Sequence, residues 1–205
     1  MQPLPALSKK MKSNVSKPAL FLDRDGVINK NHGYVFEQEN FDFMEGIFDL
    51  CAWIKKAGYH LVVVTNQSGV GRGLFSQNQY QLLTEWMCVQ FERNMATLDL
   101  VLASTMDPED LNASDIEKRR RKPAPGMFFE AQEILNVDLA NSIMIGDSLS
   151  DMEAATNAGV PNRFLLDHLV HRSSNYVVVE NLIDCAEKIK VLAENRNKQI
   201  KDGRK

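Results

Sequence analysis

Phe21-Leu22-Asp23-Arg24-Asp25-Gly26-Val27-Ile28-Asn29 is the stretch from which this 205-residue chain can be read outward. An apolar run from Pro18 to Leu22 passes directly into two carboxylates two residues apart. Side chains alternate along a strand, so positions i and i+2 share a face. Asp23 and Asp25 are therefore expected to project together from the end of a buried strand. Gly26 follows, where the chain must turn sharply without a Cβ. Two like charges held that close repel and need a shared cation or proton. Mg²⁺ is the usual hard cation for carboxylates that meet a phosphate. Taken alone, the pair is also compatible with a solvated acidic turn.

Outward from this stretch the chain alternates strand and helix. Residues Met1 to about Lys17 carry Pro3, Pro5 and several Ser and Lys without periodicity, which predicts a flexible tail over 1–17. Polar Lys30 to Phe43 reads as a loop or small flap. Ile47, Leu50, Cys51 and Ile54 recur at helical spacing up to Gly58. Tyr59 to Thr65 reads as a Val-rich buried strand, and glycine-rich Asn66 to Gly73 as a permissive loop. Ser76 and Gln79 form a capping box that opens a helix carrying Leu83, Met87 and Phe91. A third strand spans Leu98 to Ala103, and Ser104 to Arg121 is polar and irregular. A helix from Met127 to Asn136, a strand from Ser142 to Ile145 and a helix from Asp151 to Ala158 follow. Arg163–Leu166 and Tyr176–Val179 read as strands, and Asn181 to about Asn195 as a closing helix. The order predicts an α/β, doubly wound (Rossmann-like) parallel sheet with one domain over 18–195 and a flexible C-terminal tail over 196–205.

Composition narrows the function classes. The net charge of −3 offers no bulk attraction for nucleic acid or an anionic membrane surface. The longest apolar runs are strand-sized, so no membrane span is expected. The basic N-terminus lacks an apolar stretch of signal-peptide type, and a cytoplasmic location is the default expectation. Cys51, Cys88 and Cys185 lie far apart with no C-x-x-C, and Cys51 and Cys88 are expected to be buried free thiols.

In open parallel sheets, ligands bind beyond the carboxyl ends of the strands. Those ends supply Asp23 and Asp25, then Thr65 and Asn66, then Asp147 with Asp151 four residues on, while Lys122 comes from the loop before a helix. Carboxylates with a hydroxyl, an amide and an ammonium suit phosphoryl transfer, in which acids hold Mg²⁺ and attack while neutral donors and Lys hold the phosphoryl oxygens. Singly these residues have plainer readings: Thr65 as a strand end, Asp147 as a helix cap, His32 as a solvated loop residue, Arg72 as surface charge.

Together, Asp23-x-Asp25-Gly26, Thr65, Lys122-Pro123 and Gly146-Asp147-Ser148-x-x-Asp151 resemble the four motifs of the haloacid-dehalogenase-like phosphatases, over about Leu20 to Leu166. His32-Gly33-Tyr34-Val35, Thr65-Asn66-Gln67-Ser68-Gly69-Val70-Gly71-Arg72-Gly73 and Arg121-Lys122-Pro123-x-Pro125-Gly126-Met127 look closer to the subfamily of heptose bisphosphate and histidinol-phosphate phosphatases. The resemblance implies a small phosphorylated sugar substrate, with removal of the 7-phosphate of D-glycero-D-manno-heptose 1,7-bisphosphate. It implies Asp23 as nucleophile forming an aspartyl phosphate, Asp25 as general acid and base, and Thr65 and Lys122 holding the phosphoryl group. Asp23, the main-chain carbonyl of Asp25, and Asp147 would bind Mg²⁺, while Asp151 orders the loop and Lys122. Substrate contacts are expected from Asn31, His32, Gly33, Tyr34, Asn66, Gln67, Ser68, Arg72 and Arg121, whereas Lys118 to Arg120 read as a solvated basic stretch.

The gaps from Asn29 to Met44 and from Ala103 to Lys122 are too short for a cap domain, so a capless fold with an open site is expected. The subfamily usually holds a structural zinc in the loop before Arg-Lys-Pro. Ser104 to Arg121 contains no Cys and no His, so no zinc is expected. Rival readings are a histidinol-phosphate or other small-metabolite phosphatase, a polynucleotide 3′-phosphatase, and a catalytically silent phosphosugar-binding module. A monomer or weak homo-oligomer is expected.

Overall fold

The computed structural model describes residues 15–167 and 174–202, with side chains as far as 193. Its centre is β1 (Ala19–Leu22), every residue of which is buried. α1 (Ile47–Lys56), β2 (His60–Asn66), α2 (Ser68–Gly71), α3 (Gln77–Arg93), β3 (Leu100–Ser104), α4 (Asp115–Arg120) and α5 (Gly126–Leu135) follow. β4 (Ile143–Gly146), α6 (Leu149–Asn157), β5 (Asn162–Leu166), β6 (Val177–Val179) and α7 (Leu182–Asp202) complete the chain. All six strands run parallel in the order β3-β2-β1-β4-β5-β6. The order reverses at β1, and a doubly wound sheet opens its ligand crevice at such a point.

The alternation along β1 explains the two layers. Leu20 and Leu22 face a core shared with Leu50, Cys51 and Ile54 of α1, Leu83, Met87 and Phe91 of α3, and Leu182, Cys185 and Ile189 of α7. Ala19 and Phe21 face the opposite core, with Met127, Phe128 and Ala131 of α5 and Met152, Ala154 and Ala155 of α6. Phe21 and Phe128 pack with ring centroids 4.6 Å apart. A strand buried on both faces must be apolar throughout, which is why its first polar residue, Asp23, marks the point where the sheet ends.

Four expectations are corrected. The glycine-rich loop after β2 contains the short helix α2, begun by Ser68. The supposedly irregular 104–121 segment contains α4, opened by a capping box in which Ser114 accepts from the Glu117 N–H and Glu117 accepts from the Ser114 N–H. That Ser-x-x-Glu pattern was present in the sequence, masked by the polarity around it. α7 runs past Asn195 to Asp202, because nothing between those residues breaks a helix. Cys51 is buried, but Cys88 is only partly so.

Most of the expected N-terminal tail, residues 1–14, lies outside the described residues, as does the last part of the expected C-terminal tail, 203–205. Within the described part of that stretch, Lys17 forms a bridge with Val137. Between Asn29 and Phe43 the chain makes only a single 3-10 turn, Gln38–Asn40, closed by an antiparallel bridge between Asn29 and Phe43. The fold is therefore capless at this insertion point.

Candidate active site

The carboxyl ends of β1, β2 and β4 surround a cleft of about 240 Å³ lined by Asp23, Asp25, Asn31, Gly33, Tyr34, Thr65, Asn66, Gln67, Ser68 and Asp147. Its floor is a buried charge cluster. The Lys122 ammonium sits 2.9 Å from Asp23 Oδ1 and 2.5 Å from Asp151 Oδ1, and donates to the Val64 carbonyl at 2.8 Å. Lys122 is 3 % exposed and Asp151 0 %. Burial acts to lower the Lys122 pKa, but the two carboxylates outweigh it and hold it above the ordinary lysine value. The second oxygen of Asp151 accepts from the Ser148 N–H and hydroxyl, at 3.1 and 2.7 Å. Both Asp151 oxygens are thus engaged, which gives this residue an ordering role. Ser148 caps α6, so Asp147 is not the cap and its carboxylate is left for the cleft.

Carboxylate oxygens of Asp23, Asp147 and Asp151 lie within 4.8 Å of one another. One ammonium against three carboxylates leaves the cluster with an excess of negative charge. The consequence appears in the titration of its members. Burial first, then the Asp151 and Asp147 charges, pushes Asp23 up to about 7 despite Lys122. Burial and the Asp151 charge push Asp147 to about 6, against a hydrogen bond from Asn31. An all-oxygen donor set carrying excess negative charge fits a small hard dication. Gly26 abuts this point, with φ of +86°, and any Cβ there would overlap the Asp147 carboxylate.

Asp25 lines the same cleft but belongs to a different network. Its Oδ1 accepts from Arg24 Nε, Arg24 Nη2 and Asn29 Nδ2 at 3.2, 2.9 and 3.0 Å. Its Oδ2 accepts from Arg24 Nη2 and Gln67 Nε2, both at 2.8 Å. The side chain of Asp25 is thus held apart from the acidic cluster. The Arg24 guanidinium is itself buried and also donates to the Val35 carbonyl at 2.8 Å.

The remaining expected residues divide. Thr65 is buried within β2 with Oγ1 accepting from Gln67 Nε2 at 3.0 Å. Asn66 clamps the main chain of Lys122, donating to its carbonyl at 3.0 Å and accepting from its N–H at 3.1 Å. Asn31, Gly33, Tyr34 and Ser68 line the cleft. His32 does not: its Nε2 lies 2.9 Å from Asp42 Oδ2 on the exposed outer side of the loop. Arg72 pairs with Asp107 at 3.2 Å and Glu109 at 3.0 Å, tying the β2 loop to the 104–121 segment. Arg121 donates to the Met106 carbonyl at 3.4 Å, close enough to Arg72, Asp107 and Tyr34 to feel their charges. These two arginines are at the rim rather than in the cleft wall. Arg24 and Asn29 were missed as site residues by the sequence reading. The one available clue was an arginine placed between two aspartates at a strand end, where its guanidinium can fork onto a neighbouring carboxylate.

The sequence model of the haloacid dehalogenase-like hydrolases matches residues 10–159. The chain is 46% identical over 153 residues to the D-glycero-beta-D-manno-heptose-1,7-bisphosphate 7-phosphatase of Vibrio cholerae, covering 74% of this chain and 82% of that protein. It is 45% identical over 149 residues to the D-glycero-alpha-D-manno-heptose-1,7-bisphosphate 7-phosphatase of Burkholderia mallei, covering 72% and 79%. Among solved structures, the D,D-heptose 1,7-bisphosphate phosphatase of B. bronchiseptica, complexed with magnesium and phosphate, superposes with a TM-score of 0.71 at 28% identity, covering 84% of this chain and 97% of that one. With the fold, the strand-end acids and these matches together, the chain belongs to the haloacid dehalogenase-like hydrolase family.

Proposed function

We propose that this protein is a Mg²⁺-dependent phosphatase that removes the 7-phosphate of D-glycero-D-manno-heptose 1,7-bisphosphate. The observation that carries the reading is the convergence of Asp23, Asp25, Thr65, Lys122 and Asp147 on one cleft or its immediate floor. The similarity to proteins named for this activity supports the substrate. Asp23, Asp147 and the main-chain carbonyl of Asp25 would hold the cation. When bound, it would offset charge between the anionic nucleophile and the phosphate, making a carboxylate a competent attacker.

In the first step an Asp23 oxygen bonds to phosphorus while the bond to the sugar oxygen breaks, and Asp25 gives that oxygen its proton. In the second, a water oxygen bonds to phosphorus, the acyl phosphate on Asp23 breaks, and the water proton goes to Asp25. Lys122 and Thr65 stabilise the charge spread over the phosphoryl oxygens, and prepositioned charge of this kind commonly lowers the barrier more than any other single effect. Lys122 arrives there prepositioned, since Asn66 grips its main chain and Asp151 its ammonium. Arg72 and Arg121 at the rim are the groups that suit the second phosphate of a bisphosphate.

In place of a zinc site, this reading orders the 104–121 loop through α4 and the Arg72 ion pairs. The test is phosphate release with Mg²⁺ from both anomers of the heptose bisphosphate, from histidinol phosphate and from a 3′-phosphorylated oligonucleotide. The heptose esters are expected to be turned over at least about tenfold better in kcat/KM, equivalent to about 1.4 kcal/mol of discrimination. Equal or better turnover of either other ester would replace the sugar assignment. Phosphate release from none would favour a binding module.

A further inference from the structure

Gln67 is 4 % exposed, and its main-chain N–H is fixed on the Ser104 carbonyl at 2.7 Å. Its amide nitrogen reaches Asp25 Oδ2 at 2.8 Å and Thr65 Oγ1 at 3.0 Å. The amide nitrogen is the donor end of the side chain, and it is the end that faces Asp25. The same nitrogen then donates its other hydrogen to Thr65. A hydroxyl that already accepts there turns its own hydrogen elsewhere, and Thr65 lines the cleft. We propose that Gln67 is a positioning residue rather than a substrate contact: its single amide sets Thr65 as a donor toward the phosphoryl group and fixes the carboxyl of Asp25 for proton transfer. This rests on the phosphatase reading above, in which Asp25 protonates the leaving oxygen. It changes the expected role of Gln67, because both of its N–H groups are spent on protein atoms. Arg24 reaches both Asp25 oxygens and Asn29 reaches Oδ1, both from the turn that Asp25 itself belongs to, so among the described residues Gln67 is its one hydrogen-bond partner from a different strand end.

The two halves of the proposal separate by leaving group. Loss of the Thr65 donor weakens attack on any ester, whereas loss of Asp25 alignment matters most where the departing oxygen is basic and needs a proton. The experiment compares kcat/KM, which extends only to departure of the leaving group, for p-nitrophenyl phosphate and phenyl phosphate in the Mg²⁺-loaded wild type, Gln67→Met and Gln67→Asn. Gln67→Met keeps the shape without a donor, and Gln67→Asn keeps the amide but cannot span both partners. Melting temperatures establish that each variant is folded, and either folded variant suffices.

The expected result is a fall of about tenfold with p-nitrophenyl phosphate and about a hundredfold with phenyl phosphate. In an Asp25→Asn background the leaving-group difference disappears. Equal losses on both esters, no loss, or a larger loss on the nitrophenyl ester would overturn the proposal while leaving the phosphatase reading in place. A wild type inactive on these esters and on the sugar bisphosphate would instead overturn the phosphatase reading, and this proposal with it.

Discussion

Lys122 shows how much a single side chain carries in this site. Among the described residues it is the one cation at three converging acids, and removing it leaves Asp23 and Asp151 buried without that counter-charge. Breaking such a pair by deleting one partner costs about 3–5 kcal/mol. Lys122→Met is therefore expected to lower stability by that order in a denaturant titration and to reduce phosphate release at least a hundredfold (~10²). Stability unchanged by the substitution would mean that the ammonium does not bridge the two acids in solution. Gly26 makes the complementary point about space. Its left-handed φ and its contact with Asp147 leave no room for a methyl group. Gly26→Ala should raise the Mg²⁺ concentration needed for half-maximal activity, as read from a metal titration, by displacing a proposed ligand. Asp23, Asp25, Thr65, Lys122 and Asp147 were legible in the sequence because each sits at a strand end or beside a Pro stop. The hydrogen bonds of Arg24 and Gln67 to Asp25 were not legible, because which neighbour a donor reaches is a tertiary fact.

Among the secondary-structure elements, α1, β2 and β3 are tied together by Asp99. It lies just before β3 and accepts from Lys55 of α1 at 2.7 and 2.9 Å and from the Leu61 N–H of β2 at 2.8 Å. Burial works against its ionisation, but hydrogen bonds from His60 and Lys55 and the Leu61 N–H win and hold its pKa at about 2, below the reference 3.8. A depressed folded-state value stabilises the protein above the unfolded pKa, and that contribution is lost as the pH falls through the folded one. Asp99→Asn should therefore cost about 1–2 kcal/mol at pH 7, discounted for the pair's partial exposure. The difference from wild type should close between about pH 4 and pH 2 in denaturant titrations. A difference that stayed constant across that range would exclude the ionised carboxylate as its source. The helices over apolar stripes were readable from spacing, as was the Ser76 cap. α4 was not, because its six residues bury no side chain and leave no hydrophobic period to find. Its capping box was the sole local mark. Ser114→Ala is expected to cost about 1 kcal/mol locally and to act on KM more than on kcat, by loosening the loop whose Asp107 and Glu109 hold Arg72.

Across the molecule, the parallel order β3-β2-β1-β4-β5-β6 does the positioning. Acids at the ends of β1 and β4 become neighbours because those strands pair directly, with Leu22 opposite Ile145. Thr65 joins them because β2 pairs on the other side of β1. Strand-helix alternation predicted a sheet of this class, and its polar ends predicted the crevice. What the sequence could not reveal was that His32 pairs outward with Asp42, and that Arg72 anchors a loop, since both depend on contacts between loops. Among the described residues no helix is long and apolar enough to cross a membrane.

Transient phosphorylation of Asp23 is the step on which the proposed mechanism depends. It can be caught by an acid quench of the Mg²⁺-loaded protein during turnover of a phosphate-labelled ester, followed by peptide mapping. Label is expected on the peptide bearing Asp23, and none in Asp23→Asn, which should bind substrate with near wild-type affinity yet release no phosphate. Label on another residue, or turnover by Asp23→Asn near the wild-type rate, would contradict the mechanism.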